Sequence, residues 1–173
     1  MKKTKLLVLG SLMACMSALF QIVPVFLSEA FVIVTIFSAV PIFLISFIHP
    51  KTGFAVYLAS FMLISFFSVH EALLFLFTNG PVGLSLGSCS HYTARKLIAI
   101  SISSVILTCC LGILNYLIGI PVFGVALPGS IWIQFMIIIA FSFIFNFIFF
   151  KLCRIILKRT SGFLINLGHT EQF

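Results

Sequence analysis

The chain has 173 residues, 62% of them apolar and only 8% charged, with a formal net charge of +7. At a mean hydropathy of +1.31 so much apolar surface cannot be hidden in a water-soluble core, which excludes a soluble globular domain and points to an integral membrane protein. The basic residues sit in short stretches beside hydrophobic runs, so they read as topology signals and anionic-lipid contacts, not as a nucleic-acid surface.

A span needs about 20 mostly apolar residues, fewer where the bilayer adapts. Polar punctuation divides this chain into six such stretches, at residues 6–27, 30–48, 54–69, 72–87, 97–118 and 130–150, with a basic tail over 151–173. Lipid leaves backbone amides no partner but one another, so each stretch is expected to be helical. The expected fold is one domain, an all-α bundle of six transmembrane helices. Lys2, Lys3, Lys5, then Lys51, then Arg95 and Lys96, then Lys151, Arg154, Lys158 and Arg159 all fall on one side of that topology. The positive-inside rule makes that side, and both termini, cytoplasmic. If 54–87 were a single span, Arg95 and Lys96 would move outside, so His70-Glu71 is expected to mark an external turn.

In chain order, the first span opens with Lys2, Lys3 and Lys5 and an apolar run to Cys15 that faintly resembles a lipoprotein signal. The apolar segment continues to Leu27 without a polar tether, so the span is expected to be retained. Gly10, Ala14, Ser17, Ala18 and Gln21 share one face of it, and small residues let another helix approach closely. In the fourth span Asn79-Gly80-Pro81 predicts a kink or a locally opened backbone, while Gly83 and Gly87 form a Gly-x-x-x-Gly packing pair. Ser101, Ser104, Thr108, Gly112, Asn115 and Gly119 form a second small-polar stripe on the fifth. The phenylalanines of the sixth, Phe141 to Phe149, surround the helix and read as lipid-facing. Lys151, Arg154 and Lys158 then recur at helical spacing, consistent with a helix end resting on anionic headgroups. The five cysteines lack metal-ligand spacing and read as small apolar residues, so neither metal nor cofactor is expected.

Polar side chains within the hydrocarbon are costly and often mark a pathway or site. Gln21, Asn115, Tyr116, Trp132 and Gln134 fall at similar depth near the outer ends of their spans, with Glu29, His70 and Glu71 at the rim. Together they suggest an outward-facing substrate pocket, with amides for orientation, aromatics for stacking and carboxylates for charge. The outer side carries no Lys or Arg, which favours a neutral or cationic ligand over an anion. No phosphate-binding Gly-x-x-x-x-Gly-Lys-Ser/Thr loop, His-Glu-x-x-His motif or Gly-x-Ser-x-Gly site is present, so the chain is read as non-enzymatic. An enzyme would need His70 and Glu71 to meet at an accessible site.

In size, span count and the Ala14-Cys15-Met16-Ser17-Ala18 pattern, the chain resembles the S component of an energy-coupling factor (ECF) transporter, the substrate-binding subunit of bacterial vitamin uptake. The resemblance implies a bacterial cytoplasmic-membrane protein that binds its substrate in the outer half of the bundle. It also implies partners, a coupling transmembrane subunit and a pair of ATPases, with Gly10, Ala14 and Ala18 as the partner interface. The competing reading is a membrane scaffold resembling the MreD rod-shape family, which needs no ligand pocket and would bury Gln21, Asn115 and Gln134 against other helices.

Overall fold

The computed structural model describes residues 3–27, 31–93, 95–120 and 131–165, apart from the side chains of Lys3 and of 160–165. Every regular element among them is helical. In chain order these are α1 (Lys3–Phe26), α2 (Val32–Thr35), a 3₁₀ turn (Ile36–Ser38), α3 (Ala39–Ile48), α4 (Pro50–Ser65), α5 (Val69–Phe77), α6 (Asn79–Tyr92), α7 (Lys96–Gly112) continuing as a π-helical segment (Ile113–Ile118), and α8 (Ile131–Ile165). Four helical stretches are long and apolar enough to cross a membrane: Thr4–Phe26, Val69–Tyr92, Lys96–Ile118 and Ile131–Arg159. Val32–Ile48 is shorter but apolar, and α4 has 16 residues.

Local chemistry sets the breaks between them. α4 begins at Pro50, four residues before the expected boundary, because proline suits a first helical turn and the His49 ring caps it by accepting from the Thr52 amide. Ser68 caps α5 by accepting from the Glu71 amide at 3.3 Å. At Thr78 the backbone leaves the helical region, with φ −117° and ψ −85°, and the chain restarts as α6. Pro81 then falls in a first turn, where its missing N–H costs little. The stretch from Val69 to Tyr92 is therefore two helices joined at a break.

Contacts fix the direction of each element. A Cβ on Gly10 would lie 3.2 Å from Val56 Cγ2, and Ser60 Oγ donates to the Ala14 carbonyl at 3.3 Å, so α1 and α4 run parallel. α3 and α6 also run parallel: Gly83 abuts the Ala39 carbonyl, Gly87 the Phe43 carbonyl, and His91 Nδ1 lies 2.7 Å from the Phe47 carbonyl. α7 and α8 are antiparallel, pairing Ser103 with Asn146 and Tyr116 with Gln134. These directions gather Lys5, Lys51, Arg95, Lys96 and the Lys151–Arg159 part of α8 at one end of the bundle. Gln21, Glu71, Tyr116 and Gln134 lie toward the other.

Two apolar clusters flank the α3–α6 pair. One joins Ala14, Ala18 and Ile22 of α1 to Ile42, Val56, Ile64 and Phe75. The other joins Phe43, Val82 and Leu86 to Leu107, Leu111, Ile138 and Phe149. Phe149 corrects the lipid-facing reading of the α8 phenylalanines. It is 2% exposed, meets Phe43 edge-on at 6.5 Å and stacks on Phe145 at 6.3 Å. Phe141, Phe143 and Phe147 do face outward.

Candidate functional site

The small-polar face of α1 meets the break between α5 and α6, and the chain's main buried polar cluster forms there. Gln21 is 2% exposed. Its Oε1 accepts from Ser38 Oγ and from Asn79 Nδ2, each at 3.0 Å. Its Nε2 donates to Glu71 Oε2 at 2.8 Å. The second Asn79 Nδ2 hydrogen goes to the Thr35 carbonyl at 3.0 Å, and Ser17 Oγ donates to the Ser38 carbonyl at 2.7 Å. One amide side chain thus ties four elements together: α1, the 3₁₀ turn, α5 and α6. The opened backbone at Thr78 brings Asn79 within reach, because the first residue of α6 points inward while α5 ends.

Glu71 differs chemically from its neighbours. It sits in the first turn of α5, where the helix dipole favours negative charge. Only half-buried, its carboxylate receives the Gln21 amide and, among the described residues, no basic side chain. A carboxylate offers about four acceptor positions, so most of its capacity is left to solvent or to a ligand. Among the described residues, the character at this end of the bundle is one carboxylate acceptor beside a cluster of amides and hydroxyls.

The other expected site residues are placed less centrally. His70 is exposed and turned away from the cluster. Tyr116 donates to Gln134 Oε1 at 2.9 Å, a pair on the exposed side of α7 and α8. Asn115 is half-buried on the π-helical segment, which packs against α5. Trp132 is 83% exposed at the start of α8. Glu29 lies outside the described residues. Asn79, Ser38 and Thr35 join the cluster beyond the residues the sequence singles out, where Asn79 reads only as part of a backbone break and Ser38 and Thr35 carry no distinguishing signal.

Gly10, Ala14 and Ala18 lie inside the chain's own bundle. Ala14 and Ala18 are 3% and 5% exposed, Ala14 against α4 as described above and Ala18 within the same apolar cluster. Beside them, facing outward, an apolar groove of about 520 Å³ runs between α1 and the end of α4, lined by Cys15, Leu19, Ile22, Phe26, Leu63 and Phe67 among others.

A second polar seam crosses α6, α7 and α8 nearer mid-bundle. Ser85 Oγ and Ser103 Oγ lie 2.6 Å apart, Ser103 donates to Asn146 Oδ1 at 2.6 Å, and Asn146 Nδ2 donates to the Ser142 carbonyl at 2.8 Å. All four residues are buried, and the bonds run between side chains of the three helices and into the Ser142 carbonyl, while the Ser142 hydroxyl has no partner; the seam reads as structural. Among the described residues no three His, Cys, Asp or Glu side chains gather as a metal site. No family model, curated protein or solved structure matches this chain.

Proposed function

We propose that this chain is a membrane-embedded substrate-binding subunit for uptake of a small neutral or cationic micronutrient, resembling an ECF S component. In this reading α2–α3 and α4 are short spans that complete six, both termini are cytoplasmic, and the protein sits in a bacterial cell membrane. A coupling membrane subunit and an ATPase pair supply the energy, since the chain has no phosphate loop of its own. The observation that carries the reading is Glu71, a half-buried carboxylate with no basic partner among the described residues, bonded to the Gln21 amide, which in turn receives Asn79, at the end of the bundle opposite the Lys and Arg clusters. Charge in so apolar a chain is expensive and is characteristically retained for a ligand or ion.

A second reading has its own observation. Among the described residues Gln21 finds its hydrogen-bond partners within its own bundle, and its small-residue face is buried there, which suits a scaffold like MreD that buries these groups for packing alone. Affinity purification of the tagged protein from its native membrane separates the two. The transport reading expects a coupling membrane subunit and two ATPase subunits in fixed stoichiometry. Recovery of cell-shape proteins in their place would overturn it.

A further inference from the structure

The cytoplasm-proximal half of α8 carries its cations on an unusual side. Residues 149, 150, 153 and 157 turn inward, with Cys153 fully buried and Leu157 8% exposed against the bundle. At 3.6 residues per turn, Lys151 then projects from the opposite side and Arg154 from the flank, about a quarter-turn from the buried face, both in line with the exposed Phe143, Ile144, Phe147 and Ile148 of the membrane-crossing half. Exposed Ile155 shares that side at 62%. The cations therefore continue the outward-facing stripe of α8.

Height along the helix agrees with direction. Trp132, the exposed aromatic at the start of α8, precedes Lys151 by 19 residues, which is about 28 Å of helix and close to the ~30 Å hydrocarbon core. Indole at one boundary and ammonium at the other bracket the hydrocarbon. Lys151 Nζ lies 4.8 Å from the Phe147 ring centroid and the Arg154 guanidinium 5.9 Å from that of Phe150. Both cations are thus drawn back one turn toward the membrane, as the N-terminal tilt of helical side chains favours, and held by ring faces at headgroup depth.

We infer that Lys151 and Arg154 form a binding site for the headgroup phosphate of an acidic phospholipid, its acyl chains running along Phe147, Ile148 and Ile144. The phosphate meets an ammonium and a planar guanidinium, while the tails cover the apolar stripe below. This site is independent of what the other end of the bundle binds.

The test uses the full-length protein in phosphatidylcholine nanodiscs doped with phosphatidylglycerol, with retained lipid identified by native mass spectrometry. Wild type should retain phosphatidylglycerol in preference to phosphatidylcholine. The K151Q/R154Q variant should lose that preference by roughly tenfold, whereas K151R/R154K, which keeps the charge, should preserve most of it. The K51Q/K96Q variant removes the same charge at the same end of the bundle and should leave retention nearly unchanged. Equal losses in the two glutamine variants would mean that bulk charge alone attracts the lipid, and would overturn the site. Unaltered preference in K151Q/R154Q would overturn it as well. Comparing thermal stability in pure phosphatidylcholine identifies any variant that has merely misfolded.

Discussion

Gln21 Nε2 reaches Glu71 Oε2 across 2.8 Å, joining α1 to the first turn of α5 over fifty residues of chain. The same amide receives Ser38 and Asn79, so its removal strands several polar groups at once. Gln21→Leu should cost about 1–3 kcal/mol, read as a lower melting temperature in detergent. Glu71→Gln retains a carbonyl oxygen to accept from Gln21 and should stay within about 1 kcal/mol of wild type. That variant removes charge while sparing the fold.

Close helix approach around α3 gives a prediction with an internal control. A Cβ on Gly87 would lie 2.6 Å from Ser46 Cβ and 2.7 Å from the Phe43 carbonyl oxygen, and one on Gly53 would collide with Ser46 from the α4 side. Gly87→Ala and Gly53→Ala should each destabilise the bundle by about 1–3 kcal/mol. Nothing lies within 4 Å of the corresponding position at Gly112. Gly112→Ala should be neutral or stabilising by up to about 1 kcal/mol, through the better helix propensity of alanine. Thermal unfolding of the three variants in one detergent checks the order.

The seam through Ser103 and Asn146 should couple α7 to α8 only modestly, because polar groups unfolded in a membrane also find partners. A double-mutant cycle with Ser103→Ala and Asn146→Ala should give an interaction energy of about 0.5–1.7 kcal/mol.

Orientation is testable by labelling. In a background with all five cysteines replaced, His70→Cys should react with a membrane-impermeant maleimide added to intact cells. Tyr92→Cys, exposed at the end of α6 near the basic clusters, should react only after permeabilisation. The reverse pattern would invert the topology.

Much of the architecture is visible in the sequence because lipid allows so few solutions. The small-polar face of α1 is buried, as Gly10, Ala14, Ser17, Ala18 and Gln21 suggest, but periodicity does not say against what: α4 covers Gly10 and Ala14, while the 3₁₀ turn, α5 and α6 meet Ser17 and Gln21. The second stripe is legible only in part. Ser104 and Thr108 are buried while Ser101 is exposed, and Ser103, off the expected face, carries the contact to Asn146. Ser142 and Asn146, four residues apart, mark the inner face of α8, but the surrounding phenylalanines mask them in any average over the helix. The tail continues as helix to Ile165 because Lys, Arg, Leu and Ile are adequate helix formers once a helix is already under way. Within the candidate site, depth brings Gln21 and Glu71 together on paper as in space, but His70, next in sequence to Glu71, faces away, since adjacent residues of a helix differ by about 100°.

The transport reading requires Glu71 to face a ligand. The full-length protein, purified gently from its native membrane, should release a specific small molecule on collisional activation in native mass spectrometry, one that is neutral or carries a positive charge. Glu71→Gln, with its fold intact by thermal unfolding, should retain that molecule at a small fraction of the wild-type level. A wild-type protein that is reproducibly empty, or a ligand held equally well without the Glu71 charge, would contradict the account and favour a scaffold.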